Sequence, residues 1–144
     1  MVGNVVHHGV IVSDIDEISS YYTNVLGFEQ VDSRSVSGDA ASEILGVADA
    51  DISVVMLDAN GFLLELIEYN SPVNENANKK VEPHDVGVAH FAIQVEDLDM
   101  TFDEVKDDTE YISEPKTLES LGGVKAVYLK DPDGNMIELV EFPE

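Results

Sequence analysis

An α+β fold made of two β-α-β-β-β modules in tandem is what this sequence predicts, on three observations. The segment 131–142 reads D-P-D-G-N-M-I-E-L-V-E-F, a turn followed by a strand with Glu138 inside its apolar run. The segment 58–69, D-A-N-G-F-L-L-E-L-I-E-Y, repeats it with each position 73 residues earlier, so that Asp, Gly, Glu, Leu and Glu coincide. The openings of the two halves also match: His7 precedes Asp14 by seven residues and His90 precedes Asp97 by seven.

Residues 5–13 read as a first strand, rich in valine and isoleucine. Asp14-Ile15-Asp16-Glu17 resembles a capping box, with Asp14 accepting from the amide three residues on and Glu17 reaching back. Ile15, Ile18, Tyr22, Val25 and Leu26 recur at helical spacing, and Gly27 supplies the left-handed residue that ends helices. Residues 28–37 form a second, more polar strand near an edge. One or two helical turns are expected over 40–45, a third strand over 51–57, a turn over 58–61 and a strand over 62–69.

The pattern restarts with a strand over 87–96, Asp97 as helix cap, and the stripe Leu98, Thr101, Phe102 and Val105. Strands follow over 111–114, 123–130 and 135–142. From capping aspartate to turn glycine the first half spans 61 − 14 = 47 residues and the second 134 − 97 = 37, so ten extra residues fall around 38–50. The expected organisation is one domain over 1–144: module one 1–70, a linker over 71–86 containing two prolines, and module two 87–144.

Lys plus Arg number 7 against 30 Asp plus Glu, a net charge of −23. That excess repels nucleic acid and anionic membrane, and excludes both as partners. The acids are spread along the chain, as on a solvated surface adapted to high salt. There are no cysteines, which excludes disulfides, thiolate ligands and a cysteine nucleophile. The opening residues have no basic group ahead of an apolar core, and no apolar run nears the roughly 18 residues of a membrane span. A cytoplasmic protein is expected.

Leu63, Glu65 and Ile67 share one face of their strand by alternation, as do Met136, Glu138 and Val140. A lone ionised carboxylate among apolar neighbours costs several kcal/mol unless a cation lies opposite. Each module thus offers one histidine on its first strand and one glutamate on its last. Should the copies pack face to face, His7, Glu65, His90 and Glu138 converge on a donor set suited to Ni²⁺, Co²⁺, Zn²⁺, Mn²⁺ or Fe²⁺.

The chain resembles the vicinal oxygen chelate superfamily, which includes glyoxalase I, methylmalonyl-CoA epimerase, extradiol dioxygenases and fosfomycin or bleomycin resistance proteins. The resemblance covers essentially the whole chain and is carried by H-H-G-V-I-V-S-D with Y-Y-T-N-V-L-G-F, by L-L-E-L-I-E-Y, by G-V-A-H-F-A-I-Q-V-E-D, and by K-D-P-D-G-N-M-I-E-L-V-E-F. It implies a curled eight-stranded, metal-binding, glyoxalase-like barrel and a homodimer acting on a small molecule. It selects His7 as the first-strand ligand; His8 turns to the opposite face by alternation, and His84 lies in the linker. Two glutamates favour the proton-transfer branch: a metal-dependent lyase or isomerase of the glyoxalase I type, working through a metal-bound enediolate, with Glu138 as base and Glu65 as ligand and second base. The long segment between Glu65 and His90 and the ending I-E-L-V-E-F-P resemble the epimerases, which are the alternative; a dioxygenase and a sequestering resistance protein are further ones. Arg34, Lys125 and Lys130 are the candidate cations for substrate, and Glu43 lies in the extra segment.

Overall fold

The computed structural model describes residues 3–75 and 79–144. The chain divides into two compact units, Met1–Asn78 and Lys79–Glu144. Part of the expected linker, residues 76–78, lies outside the described residues.

The first unit runs β1 (His8–Ile11), α1 (Ile15–Asn24), β2 (Glu29–Ser37), α2 (Asp39–Leu45), β3 (Asp51–Ala59) and β4 (Phe62–Ser71). Its sheet has the order β1-β4-β3-β2, with β1 parallel to β4 and the other neighbours antiparallel. The second runs β5 (His90–Gln94), α3 (Leu98–Val105), β6 (Glu110–Tyr111), β7 (Lys116–Leu118), a 3-10 turn (Glu119–Leu121), β8 (Val124–Lys130) and β9 (Met136–Glu141). Its sheet has the order β5-β9-β8-β6, with β7 also pairing β8. The fold is α+β, as expected. Where a curled eight-stranded barrel was expected, the described residues form two mixed sheets, one of four strands and one of five, and neither sheet closes on itself. Strands β1, β2, β5 and β6 end their sheets because each pairs with only one neighbour.

One face of each sheet is buried beneath its long helix. In the first unit Ile15, Ile18, Tyr21 and Tyr22 of α1 are buried together with Val55, Leu57, Leu64 and Leu66 of β3 and β4. Tyr22 sits with its ring centroid 5.5 Å from that of Phe28. In the second unit Leu98 of α3 is buried with Val127, Leu129, Ile137 and Leu139. Burying a large aliphatic side chain contributes about 1.5–3 kcal/mol. Because side chains alternate in a strand, this packing turns Glu65 and Glu138 to the other face of their sheets.

Several boundaries differ from expectation. The first strand begins at His8, not residue 5: its pairing with β4 starts there, with His8 level with Leu64. Val5 and Val6 therefore remain exposed. The last strand of the first unit runs on to Ser71, where Asn70 donates to Ser53 Oγ (2.9 Å) and Asp51 Oδ1 (3.2 Å). The ten extra residues of the first half hold α2, which begins one residue earlier than expected and packs along β2. β7 was not expected, and the strand over 111–114 shrinks to Glu110–Tyr111. Pro115 cannot donate to a ladder, and the chain re-enters the sheet beyond it. Among the described residues no helix is long and apolar enough to cross a membrane.

Candidate metal centre

Glu65 is placed by the turn that precedes it. Asp58 Oδ1 accepts from the Gly61 amide at 3.2 Å, and Gly61 takes φ +94, which an L side chain resists. The β4 strand that follows lies beside β1, with Gly9 level with Glu65. His7, just ahead of β1, points its Nε2 at Glu65 Oε1, 3.5 Å away. A Cβ on Gly9 would stand 3.8 Å from that same oxygen, an ordinary contact. The glycine therefore keeps the space beside the carboxylate open.

The second unit repeats the arrangement. Asp131 is buried and organises its turn, accepting from the amides of Asp133 (3.0 Å) and Asn135 (2.9 Å) and from the Asn135 side chain (2.9 Å). Gly134 takes φ +84, and β9 then sets Glu138 beside β5. His90 Nε2 lies 3.2 Å from Glu138 Oε2. Neither carboxylate is sealed: the side chains of Glu65 and Glu138 are 20% and 22% exposed. The full cost of an isolated buried charge, expected from the apolar runs, is therefore not incurred. The neighbour of each carboxylate is an imidazole and not a lysine.

An imidazole nitrogen beside a carboxylate oxygen is a donor pair that a borderline divalent ion accepts, and both pairs keep an exposed side. Each unit by itself supplies two such groups. Among the described residues no set of three or more His, Asp or Glu side chains is gathered closely enough to hold an ion. His8 is level with Leu64, on the face away from Glu65, and His84 is exposed. Glu43 on α2 is also exposed.

Two site neighbours escaped the sequence reading. Tyr128 on β8 is directly opposite Glu138. Its hydroxyl lies 3.4 Å from His90 Nε2, and the two rings are 4.9 Å apart. Burial, and then the Glu138 carboxylate, hold the Tyr128 phenol above its ordinary pKa. Counting outward from the D-P-D-G turn pairs Tyr128 with Glu138 and would have found it. At the matching place in the first unit, opposite Glu65, stands Met56.

The second acids of the repeated motif are also structural. Glu68 Oε2 accepts from the Ile15 amide at 3.0 Å, and Glu141 Oε2 from the Leu98 amide at 2.7 Å. Glu68 and Glu141 thus satisfy the first free amide of α1 and α3, alongside Asp14 and Asp97. As expected, Asp14 accepts from the Glu17 amide three residues on, at 3.0 Å.

Of the candidate cations, Lys125 lies on the helix side of its sheet, away from Glu138. Its Nζ is 2.6 Å from Asp99, a hydrogen bond that raises its pKa. Lys130 shares the Glu138 face of β8 and lies 3.8 Å from Glu110. Arg34 lines a hollow of about 320 Å³ in the first unit, together with Asp32, Ser33, Val36, Val54, Met56 and Glu65.

The sequence matches the Glyoxalase/Bleomycin resistance protein/Dioxygenase superfamily over residues 4–139. It is 27% identical over 142 residues to a probable lactoylglutathione lyase of Vibrio parahaemolyticus, covering 96% of this chain and 91% of that protein. The structure superposes on a glyoxalase family protein from Bacillus cereus with a TM-score of 0.82 at 17% identity, covering 98% of this chain and 95% of that one. It superposes on a fosfomycin resistance protein from Listeria monocytogenes with a TM-score of 0.67 at 16% identity, covering 99% and 96%. Matched over almost its whole length, the chain belongs to the Glyoxalase/Bleomycin resistance protein/Dioxygenase superfamily.

Proposed function

We propose that this protein is a divalent-metal-dependent lyase or isomerase that moves a proton between adjacent carbons of a small substrate, of the lactoylglutathione lyase type. The observation that carries the reading is the pair of matched dyads, His7–Glu65 at 3.5 Å and His90–Glu138 at 3.2 Å, one in each unit. The similarity to the Vibrio protein supports the same reaction class.

His7 with Glu65 in the first unit and His90 with Glu138 in the second are the candidate ligands, and an ion bound by them would supply Lewis acidity to adjacent substrate oxygens. Glu138 acts as the base: it takes the proton from the hydroxyl-bearing carbon, and the released electron pair shifts toward the neighbouring carbonyl. It then returns the proton to that neighbouring carbon while the hydroxyl proton passes to the former carbonyl oxygen, which leaves a carbonyl where the hydroxyl stood and the composition of the substrate unchanged. Glu65 is a ligand and second base. Tyr128 and Met56 make the two carboxylates inequivalent, since Glu138 faces a phenol and Glu65 a thioether.

An epimerase is the second reading, favoured by the presence of two carboxylates, each with its own histidine partner, as candidates for deprotonation and reprotonation on opposite faces of one carbon. The homodimer expected of the family belongs to the same proposal, and light scattering on the eluting protein tests it.

The decisive experiment is metal analysis of the purified protein, followed by an assay with the hemithioacetal of methylglyoxal after reconstitution with Ni²⁺, Co²⁺, Zn²⁺, Mn²⁺ or Fe²⁺. Turnover that depends on the ion is the expected result. Uptake of an ion without turnover removes the lyase and leaves the epimerase, which solvent deuterium incorporation into an acyl thioester would reveal, the dioxygenase, which aerobic turnover of catechols with Fe²⁺ would reveal, or another activity.

A further inference from the structure

Tyr128 stands on β8, Glu138 on β9 and His90 on β5, and β9 lies between the other two strands. Strands two places apart in a sheet are separated by about 9.5 Å. The Tyr128 and His90 ring centroids are only 4.9 Å apart, so the phenol leans across β9 on the face that carries Glu138. Tyr128 is level with Glu138, which sets its ring beside the carboxylate. The hydroxyl ends 3.4 Å from His90 Nε2. An ion bound at that nitrogen takes its lone pair, and the phenol then has no acceptor there.

The proton transfer proposed above moves two protons. Glu138 moves the one on carbon, and the one on oxygen must pass from the hydroxyl to the former carbonyl oxygen. A group that carries it has to donate and accept at a single atom beside Glu138. On β8 and β5 the neighbours of Glu138 on its own face are Ala126, Tyr128, Lys130, His90, Ala92 and Gln94. Alanine has no such atom, the Lys130 ammonium only donates, the Gln94 amide donates and accepts at different atoms, and His90 is engaged by the ion. The Tyr128 hydroxyl does both.

We propose that Tyr128 is a further catalytic residue: its hydroxyl, released from His90 when an ion binds, meets the two adjacent oxygens of the substrate and relays the oxygen-bound proton between them. The inference rests on the proton-transfer reading. As Glu138 removes the carbon-bound proton, the electron pair forms a double bond between the two carbons, and the carbonyl π pair moves onto its oxygen, which takes the proton of the phenol. The phenolate oxygen then takes the proton of the neighbouring hydroxyl. The pair left on that hydroxyl oxygen forms the new carbonyl, and the double-bond pair takes the proton back from Glu138 at the other carbon. Tyr128 and Glu138 end as they began, with no outside oxidant or reductant.

The test uses the full-length protein loaded with Zn²⁺, with 3-fluorotyrosine at its 5 tyrosines. The Tyr128 fluorine signal is the one missing from Tyr128→Phe. It is expected to shift when Zn²⁺ is added, and again on addition of acetohydroxamate, whose two adjacent oxygens lie in a plane like those of the rearranging substrate. Tyr128→Phe deletes only the hydroxyl and keeps the ring against His90. It is expected to bind acetohydroxamate about tenfold more weakly while holding the ion no less tightly, with bound zinc measured in the same samples. With the hemithioacetal of methylglyoxal its kcat falls about a hundredfold at saturating ion, and KM changes little. A Tyr128 signal unmoved by acetohydroxamate, equal acetohydroxamate affinity in variant and parent, or an undiminished kcat overturns this inference alone. If the shifts and the weakened binding hold but the parent does not turn over the hemithioacetal, the lyase reading alone has failed. A protein that takes up no ion overturns both.

Discussion

The Leu98 amide donates to Glu141 Oε2 across 43 residues of sequence, at 2.7 Å. Ile15 and Glu68 repeat the contact at 3.0 Å in the first unit. A carboxylate at a helix N-terminus satisfies a free amide and meets the positive end of the helix dipole. Glu141→Ala and Glu68→Ala are each expected to lower unfolding free energy by about 1 kcal/mol, while Glu141→Gln loses less. Urea titration of the variants measures this. An unchanged midpoint would show that the amides are equally well served by water.

If Glu138 is the base and Glu65 chiefly a ligand, the two glutamine variants must differ. Glu138→Gln is expected to lower kcat by about a hundredfold or more. Glu65→Gln should weaken ion binding and leave more of kcat at saturating ion. Metal content measured alongside kcat separates the two effects, and the opposite order exchanges the roles.

Tyr128 approaches the same His90 nitrogen that would bind an ion. That nitrogen cannot accept from a phenol and ligate at once. Tyr128→Phe is therefore expected to raise affinity for the ion by up to several-fold, measured by competition with a chelating dye. A tenfold loss would mean the phenol supports the ion instead of competing with it.

The Tyr111 ring lies tilted against that of Phe102, with centroids 4.5 Å apart, and its buried hydroxyl lacks a hydrogen-bond partner among the described residues. Burial pushes its phenol up to about 12 from an ordinary 10.0. Between those values the folded state holds a proton that the unfolded state has released, so stability falls as pH rises through this window and is unaffected below it. Tyr111→Phe should flatten that part of the alkaline decline, measured as the difference between variant and parent at pH 8 and pH 11. It should also cost nothing at neutral pH, because it removes an unpaired polar group.

The acidic excess makes its own prediction. Charge repulsion in a chain of net −23 is relieved as the screening length falls from about 10 Å at 0.1 M salt to about 3 Å at 1 M. Thermal stability should rise steeply over that range of KCl. A flat response would show that the acids lie too far apart to repel.

The repeated motifs carried a great deal by themselves. The helix caps Asp14 and Asp97, the order of the main elements, the turns before Glu65 and Glu138, and the match of one histidine to one glutamate in each half all follow from local chemistry and from a 73-residue echo. Periodicity and capping act within a few residues, so they are written in the sequence. Tertiary structure decided what depends on which strands lie side by side. Parallel pairing of β1 with β4 and of β5 with β9 brings each histidine within 3.5 Å of its glutamate. It also left the sheets open and set Arg34, two strands away, on the same face as Glu65. Pairing between strands is a long-range choice set by burial beneath the helices, and no spacing along the chain encodes it directly.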